Sequence, residues 1–413
     1  MVRFLLLTLA LVPVLAQPRK LLVVSIDGLD TRYLHEPDRY GVRIPALRRL
    51  MTEGAAASGV VGVVPTVTWP SHTSIISGVT PEEHNIPTND QPGKPGQRWW
   101  FTSFLKARTL WHATAEKKLK SAGVYWPVTV GATIDFNFPE FWKERAGHDV
   151  PFDDIAEKAT PGLEDKVSHI YPTFARSRWS DTAAMQATRY ILEFEKPDLA
   201  LVHIADLDAE QHDFGVFSKP ARATLELADQ LLGWVLEKRP PRMVVAIVSD
   251  HGFDNAVTAV RPKAVLREAG LAPAGAEVRE GLIGALDDAT AAFFRSRIGS
   301  HGIAREVPIA EVQAMAPKLA RWRAAFDMKT GHFANNDDQG PPVAPGNGKG
   351  SHGLWPTREN YRASFVLWGE GVRPVRLGEI SMLDIAPTFA AILGVDLPAA
   401  RRASLWPRVA TLK

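Results

Sequence analysis

Pro65-Thr66-Val67-Thr68-Trp69-Pro70-Ser71-His72 is the stretch on which the rest of the chain turns. A run of β-type residues, 58–64, leads into it, and 73–86 follow before Asn89. The spacing predicts a helix that starts at Pro70, because Pro at a first helical position gives up an N–H that has no intrahelical partner. Thr68 then falls between the end of a strand and the first turn of a helix. Unpaired backbone N–H groups and the positive end of the helix dipole meet at such a point and favour an anion or a developing alkoxide. A threonine hydroxyl placed there is a candidate nucleophile toward phosphorus. The ordinary alternative is a capping or turn threonine, a common use of this residue.

Working outward, apolar runs alternate with segments of helical period. Residues 21–26 form a continuous apolar run ending at Asp27-Gly28, the pattern of a strand buried on both faces. Helical spacing over 45–55 precedes the 58–64 strand. Beyond the opening stretch, helices are expected over 109–122, 181–195, 221–238 and 382–393. Strands are expected over 124–130, 199–204, 243–248 and 363–368. This alternation predicts an α/β fold, a three-layer sandwich around a mainly parallel sheet. Two regions break the rhythm. Residues 136–173, rich in Pro, aromatic and charged residues, read as an insertion or lid. Residues 255–347, with a β-like 290–298 and a helix-like 309–319, read as a small cap. The expected division is a core of 17–254 and 348–413 with 255–347 as the cap.

The chain has 413 residues, of which 45% are hydrophobic and 23% charged, ordinary usage for a large globular core. A net charge of +2 gives no basic surface for a nucleic-acid scaffold. Arg3, the apolar run 4–15 and the small residues Val14-Leu15-Ala16 have the pattern of a secretory signal over 1–16. A retained N-terminal anchor is the alternative. The absence of cysteine excludes a disulfide framework. These features together lead us to expect an exported protein, periplasmic or extracellular, with no transmembrane segment in the mature chain.

Acidic and histidine residues gather where buried-type strands end. Asp27 follows the first strand, Asp208 and His212 the 199–204 strand, and Asp250 and His251 the 243–248 strand. His352 lies in Gly350-Ser351-His352-Gly353, ahead of the late strand. Ligands of open α/β sheets bind beyond the carboxyl ends of the strands, so these residues are expected to face Thr68 across one crevice. Singly, each has an ordinary reading as a turn former, a cap or a buried histidine. Together, three Asp and three His suit two zinc ions with mixed N/O ligands. Paired metals can clamp the attacking and leaving oxygens of an in-line displacement, and a metal-bound hydroxyl is an activated nucleophile. Asn89 adds an amide donor for a non-bridging oxygen, with a turn asparagine as the alternative.

These motifs resemble the type I phosphodiesterase/nucleotide pyrophosphatase family of the alkaline phosphatase superfamily. The octapeptide 65–72 is similar to the family's nucleophile motif. Gly78-Val79-Thr80-Pro81-Glu82-Glu83-His84-Asn85-Ile86 resembles its Gly-x-x-Pro-x-x-His-Gly-Ile, with Asn85 in place of glycine, a residue that tolerates a left-handed backbone. The resemblance implies an alkaline-phosphatase-like fold and Thr68, rather than Thr66, as nucleophile. It also implies Asn89 as the phosphate-binding asparagine. One zinc would fall to Asp208, His212 and His352. The other would fall to Asp27, Asp250 and His251, with Thr68 as an additional ligand. Trp126-Pro127 and the 382–388 segment resemble further family segments. His72 and His84 belong to the motif and are expected to make structural hydrogen bonds.

The superfamily implied by the resemblance contains monoesterases, diesterases, phosphonate hydrolases, sulfatases and phosphomutases. Trp69 beside the nucleophile, with Trp99, Trp100, Phe101, Trp126, Phe138, Phe141 and Trp142 in adjoining loops, offers an apolar surface for the second group of a diester. The resemblance puts Trp69 at a nucleobase pocket, and Trp126 is a second candidate contact. A dianionic monoester would call for Arg98, Lys106, Arg176 or Arg178 beside the phosphate. The leading expectation is a zinc phosphodiesterase or nucleotide pyrophosphatase acting on a small-molecule diester or nucleotide through a phospho-threonine. A phosphomonoesterase or phosphonate hydrolase, and a metal-bearing binding protein without turnover, are the alternatives.

Overall fold

The computed structural model describes residues 19–143, 152–174 and 179–411. The secretory signal expected over 1–16, and Arg176 and Arg178, lie outside the described residues. Eight strands build the central sheet. In chain order they are β1 (Lys20–Ile26), β2 (Ala55–Val61), β3 (Ser121–Val124), β4 (Phe136–Phe138), β5 (Leu199–Ile204), β6 (Met243–Val248), β7 (Phe365–Trp368) and β8 (Val375–Ser381). Across the sheet the order is β8-β2-β7-β6-β1-β5-β3-β4. Neighbours run parallel except around β7, which is antiparallel to both β2 and β6.

β1 shows why the sheet lies in the middle. Leu21 and Val23 enter one apolar cluster, Leu22, Val24 and Ile26 the other, and all are fully buried. Each such side chain contributes roughly 1.5–3 kcal/mol over leaving it in water. The helices Pro45–Glu53, Asp181–Tyr190 and Lys219–Leu236 cover one face through Leu47, Ala184, Leu225 and Leu232. The helices Thr68–Ser77, Leu110–Glu116 and Ile385–Leu393 cover the other through Ile75, Trp111 and Phe389. The result is a three-layer α/β sandwich, as the alternating pattern predicts.

Several local expectations are corrected. The helix after β2 starts at Thr68, with Val67 as its extended N-cap, so Pro70 is the third helical residue. Pro fits there because the amides of the first turn have no intrahelical acceptor. Residues 290–298 are not a strand: the helix Asp288–Arg295 occupies most of them. Asp287 Oδ1 accepts from the Thr290 N–H at 2.7 Å, and this cap outweighs the β-type residues. Residues 136–173 are not a detached lid. They supply the edge strand β4, and Ile155, Leu163 and Val167 join the same core cluster as Leu22.

The segment 255–347 carries a four-stranded antiparallel sheet, ordered Ala276–Arg279, Leu282–Ala285, Ala324–Met328, Ile303–Val307. Its own apolar cluster holds Ile283, Phe294 and Phe326. A second cluster seats it on the central sheet's loops, with Val64 and Trp355 meeting Leu282, Val312 and Trp322. No helix among the described residues is long and apolar enough to cross a membrane.

The reversal of β7 shapes the site. Its first residue, Phe365, pairs with Val248, the last residue of β6. The chain that precedes β7 therefore arrives at the sheet end where β1, β5 and β6 finish. His352 is delivered there by an antiparallel strand.

A threonine beside two candidate metal centres

β1 ends in the turn Asp27-Gly28. Gly28 has φ +65°, and a Cβ there would meet the Phe253 ring at 2.8 Å and Gln211 Nε2 at 2.9 Å. The turn thus needs glycine. Its N–H donates to Asp250 Oδ1 at 3.1 Å, which ties the end of β1 to the end of β6. After β5 the helix Asp206–Phe214 carries Asp208 and His212 on one face, four residues apart, with His212 Nε2 3.5 Å from Asp208 Oδ2.

These residues form two groups able to hold metal ions: Asp27, Asp250 and His251, all buried, and Asp208, His212 and His352, half-buried. The ligand atoms within each group lie within 4.8 Å of one another. His251 Nε2 is 3.4 Å from Asp27 Oδ1 and 3.1 Å from Asp250 Oδ2. The groups adjoin: His251 Nε2 is 3.9 Å and His352 Nε2 3.8 Å from Asp208 Oδ1. The His251 and His352 rings stack at 3.8 Å.

The donor set fits cations. Asp27 Oδ1, Asp208 Oδ1, Asp250 Oδ2 and His251 Nε2 are all buried without a hydrogen-bond partner. Leaving such atoms unpaired costs roughly 1–3 kcal/mol each, more for charged groups. Each histidine faces a backbone carbonyl with Nδ1: His251 with Gly252 at 3.2 Å, His212 with Gly350 at 3.3 Å, His352 with Thr66 at 3.2 Å. Donation from Nδ1 leaves the Nε2 lone pair for a metal.

The protein alone holds these charges at a cost. Burial pushes the Asp27 carboxyl well above the usual range, and Asp250 and Asp208 push it further. Burial raises Asp208 as well, against His251 and His212. Burial also opposes ionisation of Asp250, yet His251 holds it well below the usual range. His251 is raised to about 9, with Asp250 overcoming burial. His352 is pushed well down by burial and by His251 and His212.

Thr68 is the first residue of its helix and is 7% exposed. Its carbonyl oxygen meets His72 Nδ1 at 2.9 Å, and that nitrogen is 3.8 Å from Asp250 Oδ2. Thr66 bonds His352, so the segment carrying Thr68 touches both groups. Asn89 Oδ1 accepts from the Trp69 N–H at 3.0 Å, which puts the amide at the same helix start. His72 Nε2 pairs with Ser25 Oγ at 2.8 Å and His84 Nε2 with Ser74 Oγ at 3.1 Å, structural bonds of the expected kind. Asn85 takes the left-handed conformation, φ 69°, that its motif requires.

Trp69 is 4% exposed and lies edge-on to Trp100 and Trp142, at 5.7 and 6.1 Å. Arg98, paired with Asp90, sits over its ring at 5.0 Å. Trp126 departs from the expected contact role. It is fully buried, with its ring edge-on to His72 at 5.0 Å, so its side chain offers a ligand no surface. Phe138 likewise belongs to the core, against Phe174. Asp206 Oδ2 accepts from the Asp181 N–H at 3.1 Å.

The sequence reading missed His203 and Glu140. His203 Nε2 lies 2.9 Å from Asp27 Oδ2, and Nδ1 3.3 Å from Glu140 Oε2. Burial would lower His203, but the neighbouring Asp27 and Glu140 carboxylates raise it well above the usual value. One signal was available: a histidine as the penultimate residue of an otherwise apolar strand, opposite Ser25.

Carboxylates and histidines at the carboxyl end of an α/β sheet, beside a threonine at a helix start, form a candidate site for divalent cations. Residues 21–342 match the family described as type I phosphodiesterase / nucleotide pyrophosphatase, and the chain belongs to that family. It is 25% identical over 254 residues to a venom phosphodiesterase of Macrovipera lebetinus, covering 57% of this chain and 25% of that one. It is 24% identical over 249 residues to ectonucleotide pyrophosphatase/phosphodiesterase family member 1 of Homo sapiens, covering 56% and 23%. The chain thus spans about a quarter of the length of the curated relatives it matches. Murine ectonucleotide pyrophosphatase/phosphodiesterase 5, solved as an inactive form with AMP, superposes with a TM-score of 0.61 at 16% identity, over 95% of this chain and all of that one. That likeness shows the fold, which is of the expected alkaline-phosphatase type.

Proposed function

We propose that this protein is a zinc-dependent hydrolase of phosphate diesters or nucleotide pyrophosphate bonds, working through a phospho-Thr68 intermediate. The observation that carries the reading is the pair of ligand groups, with unpartnered buried atoms, one hydrogen-bonded through His352 to Thr66 and the other 3.8 Å from His72 on the segment that bears Thr68. Asp27, Asp250 and His251 would hold one zinc ion, with Thr68 as an added ligand, and Asp208, His212 and His352 the other. Bound zinc supplies Lewis acidity: it lowers the pKa of a coordinated hydroxyl and stabilises a leaving oxygen. Thr68 Oγ1 bonds to phosphorus as the ester oxygen leaves with its electron pair. Asn89 Nδ2 donates to a non-bridging oxygen while charge builds there. Water then opens the phospho-threonine and restores Thr68. Trp69 and its neighbours bound the side where the second organic group sits. We assign 17–254 and 348–413 to the catalytic core and 255–347 to a cap.

The test is hydrolysis of bis- and mono-p-nitrophenyl phosphate with zinc, for wild type and Thr68→Ala. The reading expects faster diester turnover, and loss of about 10³-fold or more in Thr68→Ala with zinc retained. A strong monoester preference overturns the diesterase assignment. No turnover on any phosphate ester leaves a metal-binding protein.

A further inference from the structure

Asp27 is gripped from behind. Its Oδ2 meets His203 Nε2 at 2.9 Å, while its Oδ1 is buried without a hydrogen-bond partner and lies 3.4 Å from His251 Nε2. The far side of the His203 ring faces Glu140 Oε2 at 3.3 Å and the Tyr125 carbonyl oxygen at 3.2 Å. His203 and Glu140 are 1% and 2% exposed, so water does not hold either in place. Glu140 is fixed by its chain neighbours. Phe138 packs in the core below the sheet, and Phe141 joins Trp69 and Trp100 in the aromatic cluster. The chain between those anchors has little freedom to withdraw the carboxylate.

The two ligand groups are supported differently. His212 and His352 are oriented by backbone carbonyls of Gly350 and Thr66. Asp27 is oriented by the His203 side chain, whose Nδ1 bonds the Tyr125 carbonyl oxygen and also faces Glu140 Oε2, a buried oxygen with no hydrogen-bond partner of its own. A carboxylate has two oxygens, and a hydrogen bond to one fixes the direction of the other. Such supporting bonds typically govern metal affinity by about 10–100-fold.

We propose that Glu140 and His203 are positioning residues that aim Asp27 Oδ1, and so set the cation affinity of the Asp27–Asp250–His251 group alone. The Asp208–His212–His352 group does not depend on them. This rests on the reading that both groups hold divalent cations.

The experiment titrates the full chain with Zn2+ against a chromophoric chelator, for wild type, Glu140→Leu and Glu140→Gln. Wild type takes up two ions. In Glu140→Leu one ion binds as in wild type and the other about 10–100-fold more weakly. Glu140→Gln keeps an acceptor and nearly the same volume but loses the charge, and weakens that same ion by less than the leucine variant. Should the leucine variant fail to fold, the glutamine variant decides. Two ions at wild-type affinity in Glu140→Gln, or equal weakening of both, overturn the proposal. A wild type that takes up no Zn2+ overturns it together with the underlying reading, and that failure is visible before any variant is compared.

Discussion

The side-chain oxygen of Asn89 accepts the backbone N–H of Trp69 at 3.0 Å. Trp69 is the second residue of the Thr68–Ser77 helix, so an amide without an intrahelical partner is satisfied from outside the helix. The bond also orients the group: a backbone N–H can only donate, so Oδ1 faces the helix and Nδ2 is the free donor. Asn89→Asp keeps the acceptor and removes the donor. Its expected outcome is a fall of about 10²-fold in kcat on a diester with near-normal urea stability. Asn89→Ala loses both functions and should unfold with about 1 kcal/mol less stability. Undiminished turnover in Asn89→Asp would remove the phosphate-binding role.

Burial lowers His84 to about 3, far below an unfolded histidine. An unfolded chain takes up the proton near pH 6.5, whereas the folded chain does not until about 3. Falling pH therefore favours the unfolded state, and this group's contribution is fully present only above about 6.5. Between those limits the cost reaches about 1.4 kcal/mol per pH unit. Urea unfolding of His84→Gln against pH should show a shallower acid limb than wild type. An equal or steeper limb refutes the assignment.

Cation removal should destabilise the fold. Asp27, Asp208 and Asp250 then face one another with buried oxygens unpaired. A ligand at 100 times its Kd stabilises the native state by about 2.7 kcal/mol. Dialysis against a chelator should lower Tm, and Zn2+ should restore it. A Tm indifferent to the chelator would argue against tight cation binding.

Trp126 is a core residue. Trp126→Phe should cost about 1–3 kcal/mol of stability and leave KM for a diester unchanged within about twofold. A raised KM at normal stability would restore it to the substrate pocket.

The sheet and four of the candidate ligands were legible because their signals are local. The apolar runs 21–26, 199–204 and 243–248, interrupted only by Ser25 and His203, give way to polar residues where the buried strands end. Asp27, Asp208, Asp250 and His251 are marked by that transition. The helix 288–295 was misread since its capping bond from Asp287 competes with β-type composition. Trp126 was misread because its burial against His72 is a tertiary contact that its sequence neighbours do not announce.

The order of strands and helices, and the identity of the side chains at the strand ends, were written in the sequence, since apolar period and punctuation act over a few residues. The reversal of β7, which brings His352 in from the far end of the chain, was settled only by pairing with Val248. The approach of Glu140 and His203 behind Asp27 was likewise a tertiary decision. Such contacts join segments far apart along the chain, and their energy exists only once the sheet has assembled.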